Sequence, residues 1–85
     1  MYYVYLIQNP EKTLSYVGYT SDLKRRIKEH ISSEHQGWEL VYYEAYRSEE
    51  DARIRERKLK HHGKGLQMLK KRISNSLNRD TRDAR

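Results

Sequence analysis

The 85-residue chain contains no cysteine, no phenylalanine and a single proline. Without cysteine, disulfides, thiol nucleophiles and thiolate zinc sites are excluded, and the composition agrees with a reducing compartment, so we expect a cytoplasmic protein. Long apolar runs are also lacking. The longest, Tyr2 to Ile7, is too short to span a bilayer or to form the apolar part of a signal peptide. We therefore expect one small domain, with no association with a membrane.

Hydrophobic residues make up only 35% of the chain, and eight tyrosines and one tryptophan supply all of its aromatic side chains. A chain of this length buries a smaller share of its surface than a larger domain does. Because a buried phenol needs a hydrogen-bond partner, a core rich in tyrosine predicts polar groups close to the apolar interior.

The net charge of +6 is concentrated in one part of the chain. Between Ala52 and Arg72 there are nine Lys and Arg residues and one acid, Glu56, whereas residues 1–46 carry five basic and six acidic side chains. A concentrated cationic segment favours a polyanionic partner, most often nucleic acid. Charge alone is equally compatible with a solvated helix face, so both interpretations stay open here.

The pattern of apolar residues predicts an α+β domain with a small three-stranded sheet flanked by helices, in the order β-β-α-β-α-α. The predicted strands are Tyr2–Gln8, Leu14–Tyr19 and Leu40–Tyr46, and the first two form a hairpin. Because the first strand is apolar on both faces, we expect it to be central. The pairing of the third strand stays open. Residues 1–77 form the predicted domain, and residues 78–85 are expected to be a frayed, charged tail.

Three helices complete this prediction. The first begins at a cap on Thr20 or Ser21, with Asp22 in its first turn, and ends at Ile31. Its apolar stripe is Leu23, Ile27 and Ile31. The second follows a cap on Ser48 and ends near Lys60. Gly63 and Gly65 mark a break before one last helix, whose apolar residues are Leu66, Leu69, Ile73 and Leu77. In the third strand, Leu40, Tyr42 and Tyr46 are expected on one face and Val41, Tyr43 and Ala45 on the other.

Several side chains of this pattern are suited to phosphate chemistry. Tyr5 lies in the first strand, Tyr16 lies in the second beside Gly18, and Arg26 and His30 are one helical turn apart. Glu56 is the acid of the basic segment. Such groups can hold a metal, activate water and neutralise a phosphate. Spacing alone leaves three ordinary alternatives open, which are cross-strand packing of the tyrosines, a solvated helix face and an intrahelical ion pair.

The motif Tyr3-Val4-Tyr5 followed by Tyr16-Val17-Gly18 resembles the paired signature of the GIY-YIG nuclease superfamily. The resemblance continues from Gly18 to His30, where the arginine eight residues after the glycine is Arg26, and it includes the helix that contains Glu56. It covers residues 2–77 and is closest to the small stand-alone bacterial group of excinuclease-like domain proteins. The chain departs from the family pattern in Tyr3, which replaces a glycine, in two valines that replace isoleucines, and in the loop after Ile31, which replaces a longer basic segment.

The resemblance implies a metal-dependent endonuclease that hydrolyses phosphodiester bonds in DNA, with one Mg²⁺ or Mn²⁺ ion per site held by Glu56. It implies that Tyr16, or Tyr5 in exchange, acts as general base or orients the attacking water, that Arg26 binds the scissile phosphate, and that His30 assists. The expected nucleic-acid contacts, with DNA favoured over RNA, are Lys24, Arg25, Arg55, Lys60, Lys64, Lys70, Lys71 and Arg72.

Two alternatives accompany this interpretation. A catalytically weak or inactive nucleic-acid-binding module could keep the same fold, and the basic helices could instead dock on a protein partner. The presence of an acid inside the basic segment favours the nuclease, because a carboxylate near phosphate needs a cation to neutralise it. The sequence leaves a homodimer open. His35, His61 and His62 are expected to matter less, as a loop residue and as residues at a helix end.

Overall fold

The computed structural model describes residues 1–61 and 63–79, which form three strands and four helices. In chain order these are β1 (Tyr2–Gln8), β2 (Ser15–Thr20), α1 (Leu23–Ser32), β3 (Glu39–Tyr46), α2 (Glu49–His61), α3 (Gly63–Arg72) and α4 (Ser74–Asn78). The predicted α+β class and the order of the elements are confirmed, with one additional short helix at the end.

The sheet has the strand order β2-β1-β3, and both neighbouring pairs are antiparallel. The hairpin and the central position of β1 are therefore as predicted. In this register, Tyr5 of β1 lies opposite Gly18 of β2 and Tyr43 of β3. Because side chains alternate along a strand, Tyr5 projects from one face of the sheet, and Val4 and Leu6 project from the other.

The turn between β1 and β2 is built around Asn9, which is buried. Its side-chain oxygen accepts hydrogen bonds from the backbone N–H groups of Thr13 at 2.8 Å and Leu14 at 2.7 Å. Lys12, with a φ of 62°, places its ammonium group 3.1 Å from the carbonyl oxygen of Asn78 and 3.0 Å from that of Arg79. These bonds connect the turn to the end of α4.

We call the face of the sheet that carries Val4, Leu6 and Val17 the core face. These side chains pack against α2 and α3 through three buried residues, Ala52, Leu59 and Leu69. Half-buried side chains, among them Leu66, Ile73 and Leu77, surround this cluster, so the apolar stripe predicted for the end of the chain does face the core. Each fully buried aliphatic side chain contributes about 1.5–3 kcal/mol relative to an exposed one.

The prediction of a single last helix is wrong, because the chain is interrupted at Ile73. With φ −111° and ψ 28°, Ile73 leaves the helical conformation and separates α3 from α4. Gly65 lies inside α3, which begins at Gly63, so it marks no break. The change of direction at Ile73 still leaves both Ile73 and Leu77 packed on the core.

The predicted faces of β3 are also wrong in part, because the strand contains a bulge. Leu6 pairs with Tyr42, but the next residue, Ile7, pairs with Leu40, so Val41 is an extra residue on β3. Leu40 therefore lines a groove together with Tyr43, whereas Val41 packs on the core cluster with Tyr42. The prediction had placed each of them on the opposite face.

Helix α1 begins one residue later than expected, with Asp22 as its N-cap. The carboxylate of Asp22 accepts a hydrogen bond from the backbone N–H of Arg25 at 3.2 Å, while Thr20 accepts one from the N–H of Asp22 at 3.0 Å. The predicted stripe fails at its end, because Ile31 is 41% exposed and its neighbour His30 is 4% exposed. The buried position belongs to a histidine, which needs polar partners there.

No helix in the described ranges has both the length and the apolar composition needed to cross a membrane. The charged tail was predicted to begin at Asn78, which is the last residue of α4. The rest of that tail, residues 80–85, and His62 lie outside the described residues.

Candidate active site

A gap at Gly18 in the edge strand β2 is filled by the ring of Tyr5. A Cβ added at Gly18 would overlap the ring and hydroxyl of Tyr5, so a residue with a side chain cannot be accommodated there without a shift. The group that approaches the backbone of Gly18 closely is therefore the ring of Tyr5. Because the ring crosses β2, its hydroxyl reaches α1 on the opposite face from the core, which we call the site face and define by Tyr5, Tyr16 and Gly18.

The Tyr5 hydroxyl lies between His30 and Arg26. Its oxygen is 2.7 Å from Nε2 of His30, and the guanidinium of Arg26 lies beside it. Both Tyr5 and His30 are almost completely buried. Burial raises the pKa of Tyr5, and the hydrogen bond and charge of Arg26 oppose this rise without cancelling it. Tyr5 is therefore a neutral phenol near pH 7.

His30 is neutral for a related reason. Burial has the largest effect on the pKa of His30, and the positive charge of Arg26 adds to it, so that pKa is lowered below its ordinary value of 6.5. In a neutral imidazole, one nitrogen donates a hydrogen bond and the other accepts one. Both nitrogens have a partner here, since Nε2 contacts Tyr5 and Nδ1 lies 3.0 Å from Nδ1 of His35.

Aromatic rings enclose this histidine from the side of β2 and of the loop between α1 and β3. The Tyr16 ring centroid is 5.2 Å from that of His30 and 5.1 Å from that of His35, and His35 packs edge-on against Trp38 at 4.5 Å. His35 was expected from the sequence to matter little, so this contact was missed. Its position five residues after His30, outside any helical spacing, gave no signal.

Arg26 is the partly exposed cation of the site face. Its side chain is 42% exposed, and it forms an ion pair with Glu29 at 3.2 Å. An arginine that contacts a buried phenol on one side and solvent on the other can bind a phosphate oxygen without first leaving the protein surface.

One side of helix α2 lies against β2, and the charged residues along that side alternate in sign. Tyr19 donates a hydrogen bond to Glu49 at 2.7 Å, and the Arg53 guanidinium lies 4.5 Å from the centroid of the Tyr19 ring. Further along the same side of α2 come Glu56 and Lys60, which form an ion pair at 3.2 Å, and the Lys60 ammonium lies 5.4 Å from the Tyr16 ring centroid. The side chain of Glu56 is only 19% exposed.

These contacts bring all five predicted site residues to the edge of β2. Tyr5 contacts His30 directly, the Arg26 guanidinium is near enough to oppose the rise in the pKa of Tyr5, and His30 packs against Tyr16. Glu56 reaches the group from α2 through Lys60, and its negative charge is near enough to Tyr5 to add to the rise in the pKa of that phenol.

Comparison with known proteins agrees with this arrangement. The sequence matches the GIY-YIG catalytic domain family over residues 1–71. The chain belongs to the GIY-YIG family. A UPF0213 protein of Haloquadratum walsbyi is 32% identical over 66 residues, an alignment that covers 69% of this chain and 73% of the relative. No solved structure matches the chain. This match confirms the resemblance inferred from the two tyrosine motifs. The family is one of nucleases, which act on nucleic acid.

The basic residues expected to contact nucleic acid lie on several sides of this GIY-YIG domain. Lys24 and Arg25 are exposed on α1, close in sequence to Arg26, and Lys60 lies over Tyr16. Lys64 and Lys71 are exposed on α3. Lys70 lines a small cleft with Gln8 and Ser15 beside the hairpin turn. The basic segment therefore does not form one continuous wall.

Arg55 has a structural role that the charge pattern does not reveal. Its guanidinium donates to both carboxylate oxygens of Glu44 on β3, at 3.0 and 3.1 Å, so it faces away from β2 and is already neutralised. Arg72 is exposed near the same region, where its charge opposes the burial that raises the pKa of Tyr42. The ion pair with Glu44 gives Arg55 a structural partner, and its contact with nucleic acid stays a prediction.

The donor set of the site fits an ion such as Mg²⁺ better than a zinc ion. Within residues 1–61 and 63–79, no three His, Cys, Asp or Glu side chains cluster as a metal-binding group. Glu56 therefore offers one carboxylate, and Mg²⁺ is commonly held by one or two carboxylates, with waters and substrate phosphates as its other ligands. The Lys60 ammonium is paired with the Glu56 carboxylate, and it would have to move away before that carboxylate could bind an ion.

The two larger concavities of the described surface lie away from the site. A cavity of about 390 Å³, lined by Lys12, Glu39 and Ser76 among others, lies beside the hairpin turn, and an open groove of about 460 Å³ separates α1 from β3. Neither contains any of the five site residues. The residues of β2 are all buried or half-buried, and the Arg26 side chain next to them is 42% exposed.

Proposed function

We propose that this GIY-YIG protein is an endonuclease that hydrolyses phosphodiester bonds in DNA and requires Mg²⁺ or Mn²⁺. The observation that supports this proposal is the hydrogen bond between Tyr5 and His30 beside the Arg26 guanidinium, with Tyr16 and Glu56 close to them. A neutral phenol and a neutral imidazole can hold a partly exposed guanidinium where it binds a phosphate.

Arg26 binds the scissile phosphate in this proposal. A guanidinium donates several hydrogen bonds in a fixed geometry and keeps its charge, so it stabilises negative charge that develops on the phosphate oxygens. Lys24 and Arg25 precede it on α1 and are exposed, which supports contacts with the phosphates on either side.

The two tyrosines have different roles. Tyr5 is 1% exposed, and its hydroxyl is engaged by His30 and Arg26, so it positions Arg26 and does not meet the attacking water. Tyr16 is half-buried, and its ring centroid is 5.2 Å from that of His30. We therefore assign to Tyr16 the orientation of the attacking water.

His30 assists from inside the protein. Because both of its ring nitrogens already have partners and the side chain is buried, it does not bind phosphate directly. Its role is to hold Tyr5, and through Tyr5 to hold Arg26, in place.

Glu56 is the residue that would hold the divalent cation. The chemistry that such an ion supplies when bound is neutralisation of negative charge at the phosphate. Lys60 would then be free to contact the nucleic acid, since its present partner is the carboxylate of Glu56.

The test is cleavage of duplex, branched and single-stranded DNA by the purified chain with Mg²⁺ or Mn²⁺. We expect Glu56→Gln to lower the rate by on the order of 10²-fold or more, since it removes the charge of the only carboxylate assigned to the ion. The matched control is Glu50→Gln, an exposed glutamate in the first turn of α2, which should cleave like the wild type.

Two results would contradict the proposal. Equal activity of the wild type and Glu56→Gln would remove Glu56 from the site. A wild type that binds each DNA but cleaves none of them, with either ion, would support the alternative of a binding module with the same fold.

A further inference from the structure

The loop between α1 and β3 holds His35 against the site by backbone and side-chain contacts. The backbone N–H of His35 donates to the carbonyl oxygen of His30 at 3.0 Å, and its own carbonyl oxygen accepts from the N–H of Trp38 at 3.0 Å. Its ring lies between the rings of His30, Tyr16 and Trp38. A side chain held on so many sides is positioned and not merely exposed on a loop.

The direction of the hydrogen bonds in this group is set by the Tyr5 hydroxyl. Tyr5 is 1% exposed, and within the described residues the hydrogen-bond partner of its oxygen is Nε2 of His30, at 2.7 Å. Tyr5 is neutral and keeps its proton, and a buried O–H donates to the acceptor within its reach. The Tyr5 O–H therefore donates to Nε2.

The second histidine is constrained in the same way. If Nε2 of His30 accepts, the proton of the neutral ring must be on Nδ1. That nitrogen lies 3.0 Å from Nδ1 of His35, so His30 donates and His35 accepts. His35 then carries its own proton on Nε2, on the outer side of the ring.

We propose that His35 is a positioning residue, which accepts the Nδ1–H of His30 and thereby fixes the tautomer that directs the Tyr5 oxygen towards Arg26. This role rests on the proposed nuclease function, because its purpose is to hold the guanidinium that binds phosphate. Without an acceptor at position 35, the other tautomer of His30 would donate its Nε2–H to the Tyr5 oxygen and compete there with Arg26.

The direct test is ¹⁵N NMR of the histidine rings, which distinguishes the two neutral tautomers. We expect the wild type to show His30 protonated on Nδ1. In His35→Phe, which keeps an aromatic ring against Trp38 but removes the acceptor nitrogen, the Nε2–H tautomer should appear. His35→Gln, which restores an acceptor oxygen, should return His30 towards the Nδ1–H form. Wild-type His30 protonated on Nε2, or a tautomer that is unchanged in His35→Phe, would overturn the proposal.

Cleavage kinetics provide the second readout. We expect His35→Phe to lower kcat about tenfold, the value of one hydrogen bond, with KM nearly unchanged, and His35→Gln to recover part of that loss. His61→Phe, at the exposed end of α2, is the control and should leave kcat unchanged. A loss of kcat that is equal in Phe and Gln variants would indicate packing alone and would overturn the positioning role.

The two readouts separate this inference from the function on which it rests. If the wild type cleaves no DNA but the tautomer depends on residue 35, the nuclease assignment fails and the hydrogen-bond order stands. If the wild type cleaves DNA and the tautomer is independent of residue 35, the nuclease assignment stands and the positioning role of His35 fails.

Discussion

The two faces of the sheet use polar side chains in opposite ways. On the core face, Glu44 accepts hydrogen bonds from Arg55, Tyr42 and Tyr46, so a carboxylate is surrounded by its donors. On the site face, Tyr5 and His30 are joined by a bond between neutral groups, and the nearby charge on Arg26 stays partly open to solvent. One network is closed on itself, and the other ends at the protein surface.

The titration of these groups follows the same division. Burial would raise the pKa of Glu44, but the hydrogen bonds from Arg55 and the two tyrosines outweigh it and hold that pKa below 4.5. Burial and the same carboxylate raise the pKa of Tyr46 to about 12. His30 on the site face has its pKa lowered by burial, so it is kept neutral. The core face thus holds an ion pair, while the site face holds neutral groups beside one partly exposed cation.

The largest effect expected from this division is loss of cleavage without loss of stability. Arg26→Ala should lower kcat by on the order of 10²–10³-fold, because it removes a donor from the developing charge. Its side chain is 42% exposed, so the free energy of unfolding should change by no more than about 0.5 kcal/mol. Single-turnover cleavage and urea unfolding measure the two. Arg47→Ala, at an exposed arginine between β3 and α2, is the control, and an equal loss there would contradict the assignment.

The opposite result is expected from the core face. Leu59, which is 2% exposed, packs in the central cluster, and Leu59→Ala should lower the free energy of unfolding by roughly 2–5 kcal/mol. Cleavage by the folded fraction at low temperature should stay close to that of the wild type. Met68→Ala, at a side chain that is 72% exposed, should change neither quantity. A Leu59 variant that is stable but inactive would show that the two faces are coupled.

Gly18 tests the boundary between the faces, because it affects both properties together. An added Cβ would meet the Tyr5 ring, so Gly18→Ala should cost about 1–3 kcal/mol of stability. It should also slow cleavage by moving the Tyr5 hydroxyl away from His30. Gly63→Ala is the control, since among the described residues a Cβ there would meet nothing beyond its neighbours in sequence and the backbone of its own helix. Unchanged cleavage in a destabilised Gly18→Ala would argue that the Tyr5–His30 bond is not needed.

The smallest effect expected is a difference in pH dependence. Unfolded His30 binds a proton below about pH 6.5, while folded His30 stays neutral, so acidification below that pH favours unfolding. Glu44 has a lowered pKa in the folded state, and its contribution is lost only as the pH falls below 4.5. Thermal unfolding of the wild type should therefore begin to move to lower temperature between about pH 7 and 5. In His30→Gln that early slope should be reduced, and an identical slope would contradict the assignment.

Much of the fold follows from local patterns that the sequence shows directly. The apolar residues on both sides of β1 predicted its central position, and the spacing of Arg26 and His30 predicted that they share one side of α1. The bulge at Val41 could not be predicted, because an extra residue in a strand leaves the apolar pattern of Leu40 to Tyr42 unbroken. The interruption at Ile73 was hidden for a similar reason, since a helical spacing is kept on both sides of it.

The site shows the same limit at the level of single side chains. Tyr5, Tyr16, Arg26, His30 and Glu56 come from separate elements, and their order along the chain was enough to group them. The contact between His30 and His35 depends on how a loop turns after α1, which spacing does not determine. The pairing of Arg55 with Glu44 depends on which side of α2 faces β3, and the several basic residues of that helix gave no sign of which one would form it.

The residues at positions 5 and 18 share the space above Gly18. Since the ring of Tyr5 fills it, a side chain at position 18 becomes acceptable only when the residue at position 5 becomes smaller. In a library randomised at both positions, folded members should fall into two groups. One has glycine at position 18 with a large ring at position 5, and the other has a small side chain at position 18 with a short one at position 5. Only the first group keeps a hydroxyl that reaches α1, so selection for folding alone and selection for cleavage should return different pairs.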